Sequence, residues 1–190
     1  MHSSARGGRE KGKTGRDAGR HEGREGRPKR EGGKNPPRNR GDAPGKRETT
    51  MKISARNQIK GTVKTVREGA VNAVVVICRG NHNPIKADIT MEAVRDLGLE
   101  EGKECYAVVK ATNVMFATEK LTGLSARNQI EGTVVKVVEG AVNGRVTIED
   151  ADGVRISGSI TNEAIEDLGL KEGGKAVAIV KATDVMVAVD

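Results

Sequence analysis

A hexapeptide that occurs twice, Ser-Ala-Arg-Asn-Gln-Ile at 54–59 and again at 125–130, constrains the fold more than any other feature. The offset of 71 residues continues without a gap to Glu119 and Asp190, and 36 of the 66 aligned positions are identical. A repeat at a fixed spacing marks one structural unit that is present more than once. We therefore expect two modules, with each functional residue present in both.

The first 50 residues differ from this repeated part in composition. They hold 15 Lys and Arg, 7 Asp and Glu, 11 Gly and four of the five Pro, whereas the rest holds 18 basic and 19 acidic residues. Without apolar runs the segment cannot offset the entropy of ordering its backbone, so we predict a disordered tail at 1–50. Three interpretations stay open for it: an Arg/Gly-rich arm that binds polyanions through phosphate contacts, a solvated appendage, or an upstream extension ahead of a true start at Met51.

Each module has the pattern of five short strands and one helix. In the first copy the strands are predicted at 58–66, 71–77, 85–89, 105–109 and 114–117, and a helix at 91–97 follows the N-cap Thr90 and stops at Gly98. A helix between the third and fourth of five strands is the order of an OB-type barrel, where OB means oligonucleotide/oligosaccharide-binding. The sequence predicts an all-β chain of two tandem OB-like five-stranded Greek-key barrels, at 51–119 and 124–190. Modules this small, joined by 120–123, are expected to pack on each other or on another subunit.

Several classes of protein do not fit this sequence. The longest apolar run, 73–78, is far shorter than the roughly 20 residues of a membrane span, and no secretory signal is present. Cys78 and Cys105 have Glu149 and Ala176 at the equivalent places, so we expect reduced thiols and a cytoplasmic protein. Neither a zinc site nor a His-based catalytic set can be assembled, and phosphate-loop and nucleophile motifs are absent, so an enzyme is not predicted.

Polar residues that recur in both copies are the candidates for a site. They lie in Ser-Ala-Arg, in Gly-Ala-Val-Asn, in Lys-Ala-Thr and at the threonine before the helix. Each has a structural alternative: the asparagines as Asx-turn residues, the threonine as a cap alone, and the Arg and Lys as surface charges. Together, a guanidinium fork, an ammonium group, hydroxyls and backbone N–H groups at a helix start suit a small oxyanion. No acidic cluster accompanies them, so a cation site is not expected.

At these residues the chain resembles the molbindin, or Mop, domain, which is the molybdate-binding branch of the TOBE domains. The similar stretches are Met-Lys-Ile-Ser-Ala-Arg-Asn-Gln-Ile-Lys-Gly-Thr-Val, Gly-Ala-Val-Asn, Ile-Thr…Leu-Gly-Leu…Gly and Val-Lys-Ala-Thr-x-Val-Met. The resemblance covers 51–190. It implies oxyanion contacts from Ser54, Ala55, Arg56, Thr90, Lys110, Ala111, Ser125, Ala126, Arg127, Thr161, Lys181 and Ala182. It also allows a second kind of anion site at Asn72 and Asn143.

The resemblance implies binding of molybdate, with tungstate as a mimic and no organic cofactor, for intracellular storage, homeostasis or delivery. It further implies a homotrimer with anions held where modules or subunits meet. We expect the Ser-Ala-Arg and Lys-Ala-Thr halves of each site to meet across such a boundary.

Two other functions are weighed against this one. An OB-type nucleic-acid-binding protein with a basic arm would need aromatic stacking platforms, yet the chain has one Tyr, one Phe and no Trp. The modules could also be the regulatory portion of a larger transporter or transcription factor. Because no nucleotide-binding segment or helix-turn-helix motif precedes Met51 in this sequence, we would expect such a portion to act in trans.

Overall fold

A computed structural model of the chain describes residues 52–80 and 83–190. The predicted tail, together with Asn81 and His82 of the loop after the second strand, lies outside the described residues. No helix in the described ranges is long and apolar enough to cross a membrane. The first copy contains β1 (Asn57–Glu68), β2 (Asn72–Cys78), β3 (Ile85–Thr90), α1 (Met91–Asp96), β4 (Glu104–Val109), a 3₁₀ turn (Ala111–Asn113) and β5 (Met115–Ala117). The second copy contains β6 (Asn128–Val138), β7 (Asn143–Glu149), β8 (Arg155–Thr161), α2 (Asn162–Asp167), β9 (Lys175–Val180), a 3₁₀ turn (Ala182–Asp184) and β10 (Met186–Ala188).

The ten strands form two antiparallel five-stranded sheets, which confirms the predicted all-β fold with one short helix per module. The strand orders are β10-β4-β1-β2-β3 and β5-β9-β6-β7-β8. The edge strands β3 and β10 also contact each other, as do β5 and β8, so each sheet closes toward a barrel.

The last strand of each module belongs to the sheet of the other module. β10 pairs with β4 of the first copy, and β5 pairs with β9 of the second copy. Each sheet therefore contains residues of both predicted domains, so the boundaries at 51–119 and 124–190 describe the repeat in sequence but not the content of each sheet. One hydrophobic core cluster accordingly includes side chains of both copies, among them Val75, Phe116, Ile148 and Val185.

The two short helices start and stop as predicted. The Thr90 and Thr161 hydroxyls accept hydrogen bonds from the Ala93 and Ala164 amides, at 3.2 and 3.1 Å. Gly98 and Gly169 follow the helices with φ near +60°, a conformation that residues with a side chain rarely adopt.

Two buried asparagines, one in each module, form hydrogen bonds to the edge strand of the other module's sheet. We call each of these contacts an asparagine clamp. The Asn57 amide donates to the Ser157 carbonyl at 2.9 Å and accepts from the Ser157 N–H at 2.7 Å. Asn128 makes the same two bonds to Lys86, each at 2.8 Å. Ser157 and Lys86 lie on β8 and β3, the edge strands whose backbone would otherwise be unpaired. The Asx-turn interpretation of Asn57 is therefore wrong: its side chain takes the place of a neighbouring strand.

A second link between the modules is an ion pair between Arg79 and Asp150, which occupy equivalent positions in the two copies. The side chains are 5% and 0% exposed. Asp150 also accepts hydrogen bonds from the Asp152 and Val154 amides, at 3.0 and 2.9 Å, so its carboxylate holds the turn that follows β7.

Candidate functional site

An open pocket of about 370 Å³ lies between the first module and the sheet that holds most of the second module. Arg56 and Ala111 line the pocket from the first module, and we call them the first wall. Asn143, Arg145 and Ser159 line it from β7 and β8, and we call them the opposite wall. The other lining residues are Val138, Glu139, Gly140 and Gly144. Three of the residues predicted for the site, Arg56, Ala111 and Asn143, are thus brought together.

The first wall is built by strand pairing within one module. Asn57 is paired with Val109, so Arg56 directly before β1 and Ala111 shortly after β4 lie at the same end of neighbouring strands. The Ser-Ala-Arg and Lys-Ala-Thr halves therefore meet inside a module, and the expectation that they meet across a boundary is wrong. The reason is that antiparallel pairing of β1 with β4 places the start of one strand beside the end of the other. The boundary between the modules lies instead between this wall and the opposite wall, whose residues belong to the second module.

The opposite wall consists of two cross-strand pairs on β7 and β8. Asn143 is paired with Thr161, and Arg145 with Ser159. Because side chains alternate between the faces of a strand, all four of these side chains lie on one face of the sheet. Asn143 and Thr161, predicted for two different kinds of anion site, are direct neighbours, and so are their counterparts in the first copy, Asn72 and Thr90.

The Asn57 clamp explains why the two walls face each other. Asn57 follows Arg56 directly, and Ser157, the backbone partner of Asn57, precedes Ser159 by two residues. The same clamp that joins β1 to the edge of β8 therefore sets Arg56 beside the face that carries Ser159. The 3₁₀ turn at Ala111–Asn113 also contacts β8.

The predicted threonines both act as helix caps. Thr90 and Thr161 accept the capping hydrogen bonds through Oγ1, yet both side chains are exposed. A hydroxyl that accepts one hydrogen bond keeps its own hydrogen for donation. The capping function and donation to an anion are therefore compatible at these positions.

Two predicted contacts can come only from the backbone. Ala55 and Ala126 are 4% and 7% exposed. The Ala55 side chain packs with Tyr106 and Val108, and that of Ala126 packs with Ala117, Val177 and Ile179. Their methyl groups are core, so only their peptide groups can face a ligand. The remaining predicted residues in the described chain are exposed or partly exposed beside these positions: Ser54, Lys110, Ser125, Arg127, Lys181 and Ala182.

Sequence reasoning missed the two other side-chain hydrogen-bond donors of this pocket, Arg145 and Ser159. Their equivalents are Val74 and Asp88, so the requirement that a functional residue recur in both copies removed them from consideration. The signal that could have found Arg145 is its spacing: it lies two residues after Asn143 on a strand, and thus on the same face.

The charged groups of the pocket favour an anion. Two lining residues, Arg56 and Arg145, are cationic, and one, Glu139, is acidic. Among the described residues, no group of three or more His, Cys, Asp or Glu is placed to hold a metal ion. Tyr106 and Phe116, the aromatic residues of the chain, are only 4% and 8% exposed, so neither is a stacking platform for a nucleobase.

Comparison with known proteins identifies the domain that is repeated in the chain. The TOBE domain model matches residues 53–116 and 124–187, once in each copy. The chain belongs to the TOBE domain family.

Curated relatives and a solved structure are similar over the same part of the chain. The molybdenum transport protein ModE of Azotobacter vinelandii is 40% identical over 140 residues, which are 74% of this chain and 52% of ModE. A probable molybdenum-pterin-binding protein of Haemophilus influenzae is 51% identical over 69 residues, 36% of this chain and all of that protein. A structure of the cytoplasmic molybdate-binding protein ModG with molybdate bound is 47% identical, with a TM-score of 0.71, and covers 74% of this chain and 100% of its own. The chain spans about half the length of ModE.

Proposed function

We propose that this chain binds molybdate, and tungstate as a close mimic, as a binding protein rather than an enzyme. The observation that carries the proposal is the pocket in which Arg56 and Ala111 of one module face Asn143, Arg145 and Ser159 of the other. The likeness to ModG, which was solved with molybdate bound, supports the same ligand.

The pocket offers what a tetrahedral oxyanion requires. Molybdate presents oxygen acceptors in all directions and carries two negative charges. A guanidinium supplies paired donors, amide and hydroxyl groups supply single donors, and the backbone N–H groups around Ala55 and Ala111 can complete the shell. Each of these groups can hold a resting anion, and the proposal requires no reaction step and no organic cofactor.

Each module contributes one set of the recurring residues, so two sites per chain are proposed, both at module boundaries. The first combines Ser54, Ala55, Arg56, Lys110 and Ala111 with Thr161 and Asn143. The second combines the equivalents Ser125, Ala126, Arg127, Lys181 and Ala182 with Thr90 and Asn72.

We infer further that the protein assembles, as a homotrimer. The support is that large exposed apolar side chains occur at equivalent positions of the two copies: Val71 with Val142, Met115 with Met186, and Ile53 with Leu124. Val71 and Val142, at the hairpin tips before β2 and β7, are 74% and 70% exposed. Burial of these three pairs of side chains against other subunits would explain why apolar residues recur at exposed positions.

The biological role that fits is storage, homeostasis or delivery of the oxyanion in the cytoplasm. The description of ModG as cytoplasmic and the transport role in the name of ModE support it.

The test is calorimetric titration of the full chain and of the double variant Arg56→Ala, Arg127→Ala with molybdate. A charge-assisted hydrogen bond contributes roughly 1.5–3 kcal/mol, so each site should weaken about ten- to a hundredfold. Arg95→Ala removes one positive charge from the exposed side of α1 and should leave the isotherm unchanged. Identical isotherms for the double variant and the full chain would refute the assignment.

A further inference from the structure

The two proposed anion sites are not chemically equivalent. At the pocket described above, the cross-strand pair beside Asn143 is Arg145 with Ser159. At the equivalent place beside Asn72 the pair is Val74 with Asp88. A guanidinium and a hydroxyl, both donors, are thus replaced by an alkyl group and a carboxylate.

The equivalence of the two places is fixed by contacts and not only by sequence alignment. Asn128 clamps the backbone of Lys86 as Asn57 clamps that of Ser157, and Asp88 follows Lys86 by two residues. The 3₁₀ turn at Ala182–Asp184 contacts β3, as its counterpart contacts β8. Asp88 consequently lies two residues along β3 from the point to which Asn128, the residue after Arg127, is hydrogen-bonded.

Asp88 is partly buried, and among the described residues its Oδ1 atom is buried without a hydrogen-bond partner. A buried carboxylate oxygen with no donor opposes the approach of a second anion. Among the other lining positions one further charge differs, because Arg67 stands where Val138 is. Arg67 restores a positive charge on β1 but leaves Asp88 unpartnered.

We propose that the two sites differ in affinity: the Arg145 and Ser159 site is the tight site for a dianionic tetrahedral oxyanion, and the Val74 and Asp88 site is the weak one. This inference rests on the proposed function. Arg145 and Ser159 are direct contacts for the anion, and Asp88 is the residue that lowers affinity at the other site. The repeat thus carries two binding strengths in one chain, which widens the concentration range over which the protein fills.

The experiment is calorimetric titration of the full chain with molybdate at low ionic strength, alongside exchange variants that copy one module into the other. The full chain should show two classes of site that differ at least tenfold in affinity. Arg145→Val should weaken the tight class about ten- to a hundredfold and leave the weak class unchanged. Asp88→Ser should tighten the weak class about tenfold.

Two charge-matched controls remove the same charges elsewhere. Arg155→Val acts on β8, where Arg155 pairs with the partly exposed Glu149, and Asp96→Ser acts on α1. Both should leave the isotherm unchanged. Because a gain of affinity in Asp88→Ser cannot come from misfolding, that variant decides the matter if Arg145→Val is unstable.

The outcomes separate the two proposals. If the full chain binds no molybdate, the proposed function fails and this inference fails with it. If the full chain binds molybdate but Arg145→Val and Asp88→Ser both give its isotherm, only the difference between the sites is overturned.

Discussion

The Arg79–Asp150 ion pair should make this fold sensitive to one carboxylate in particular. Burial alone would raise the pKa of Asp150, but the hydrogen bond from Arg79, the amides of Val154 and Asp152 and the charge of Arg79 together hold that pKa below its ordinary value of 3.8. On Arg79, Nε and Nη1 are buried without a hydrogen-bond partner among the described residues. The two partners are therefore unequally satisfied. The carboxylate accepts hydrogen bonds from three donors, whereas the carboxylate is the one hydrogen-bond acceptor recorded for the guanidinium among the described residues.

Because of this asymmetry, we expect the two single variants to lose different amounts of unfolding free energy. Asp150→Ala leaves a buried guanidinium without its counter-ion and also removes an acceptor from two backbone N–H groups, so it should cost about 3–5 kcal/mol of unfolding free energy. Arg79→Ala leaves Asp150 with its two amide donors and should cost about 1.5–3 kcal/mol. The double variant Arg79→Met, Asp150→Asn keeps an oxygen acceptor for the turn and removes both charges, so it should cost less than Asp150→Ala.

Urea unfolding at pH 7, followed by far-UV circular dichroism and by the fluorescence of Tyr106, measures these costs. Asp167→Ala, an exposed acid on α2, serves as the control. A lowered carboxyl pKa in the folded state contributes stability that is present above the unfolded pKa and is lost as the pH falls through the folded value. The difference between the full chain and Arg79→Ala should therefore shrink below about pH 4. Equal midpoints for Asp150→Ala and Arg79→Ala, or a stability difference independent of pH, would show that this ion pair does not stabilise the fold in this way.

Three further outcomes follow from individual contacts. Asn57→Ala orphans two backbone groups at the edge of the second sheet and should lower the unfolding free energy by about 2–4 kcal/mol in urea titrations, and an unchanged midpoint would contradict the clamp. In Gly158→Ala the new Cβ would lie 2.4 Å from Cε2 of Phe116, so this variant should lose about 1–3 kcal/mol, and Phe116→Val should recover it; failure of that rescue argues against β5 lying in the second sheet. Burial raises the pKa of the Cys105 thiol to about 11, so iodoacetamide at pH 8 should label Cys78 in the folded protein and Cys105 only after unfolding, as mass spectrometry of tryptic peptides would show; equal labelling rates would contradict it.

The elements themselves were predictable because their signals are local. Alternating Val and Ile residues gave the strands, and the Thr caps and Gly stops gave both helices within a residue or two. The exchange of β5 and β10 was not predictable in this way. Met-Phe-Ala and Met-Val-Ala present nearly the same apolar pattern, so local sequence does not tell which sheet each strand joins.

The choice of sheet depends on complementary sizes that become visible only when the partners are known. Phe116 packs where Gly158 leaves room, whereas the counterparts Val187 and Ala87 have a smaller and a larger side chain. Such compensation between positions distant in sequence is a property of packing and not of periodicity.

The candidate site was predictable in its repeated part only. Arg56, Ala111 and Asn143 recur in both copies and line one pocket, whereas Arg145 and Ser159 do not recur. A search by repetition finds what two sites share and misses what distinguishes them. The role of Asn57 was hidden for a different reason: its partner, Ser157, lies 100 residues away and offers only backbone atoms.

We propose above all that the chain holds molybdate where its two modules meet. The most direct measurement is the molybdenum content of the purified full chain after equilibrium dialysis against molybdate, by elemental analysis, together with the mass of the protein in solution. We expect molybdenum in stoichiometric amounts on a trimeric species, and less molybdenum in the double variant Arg56→Ala, Arg127→Ala. Absence of bound molybdenum at saturating molybdate would contradict it.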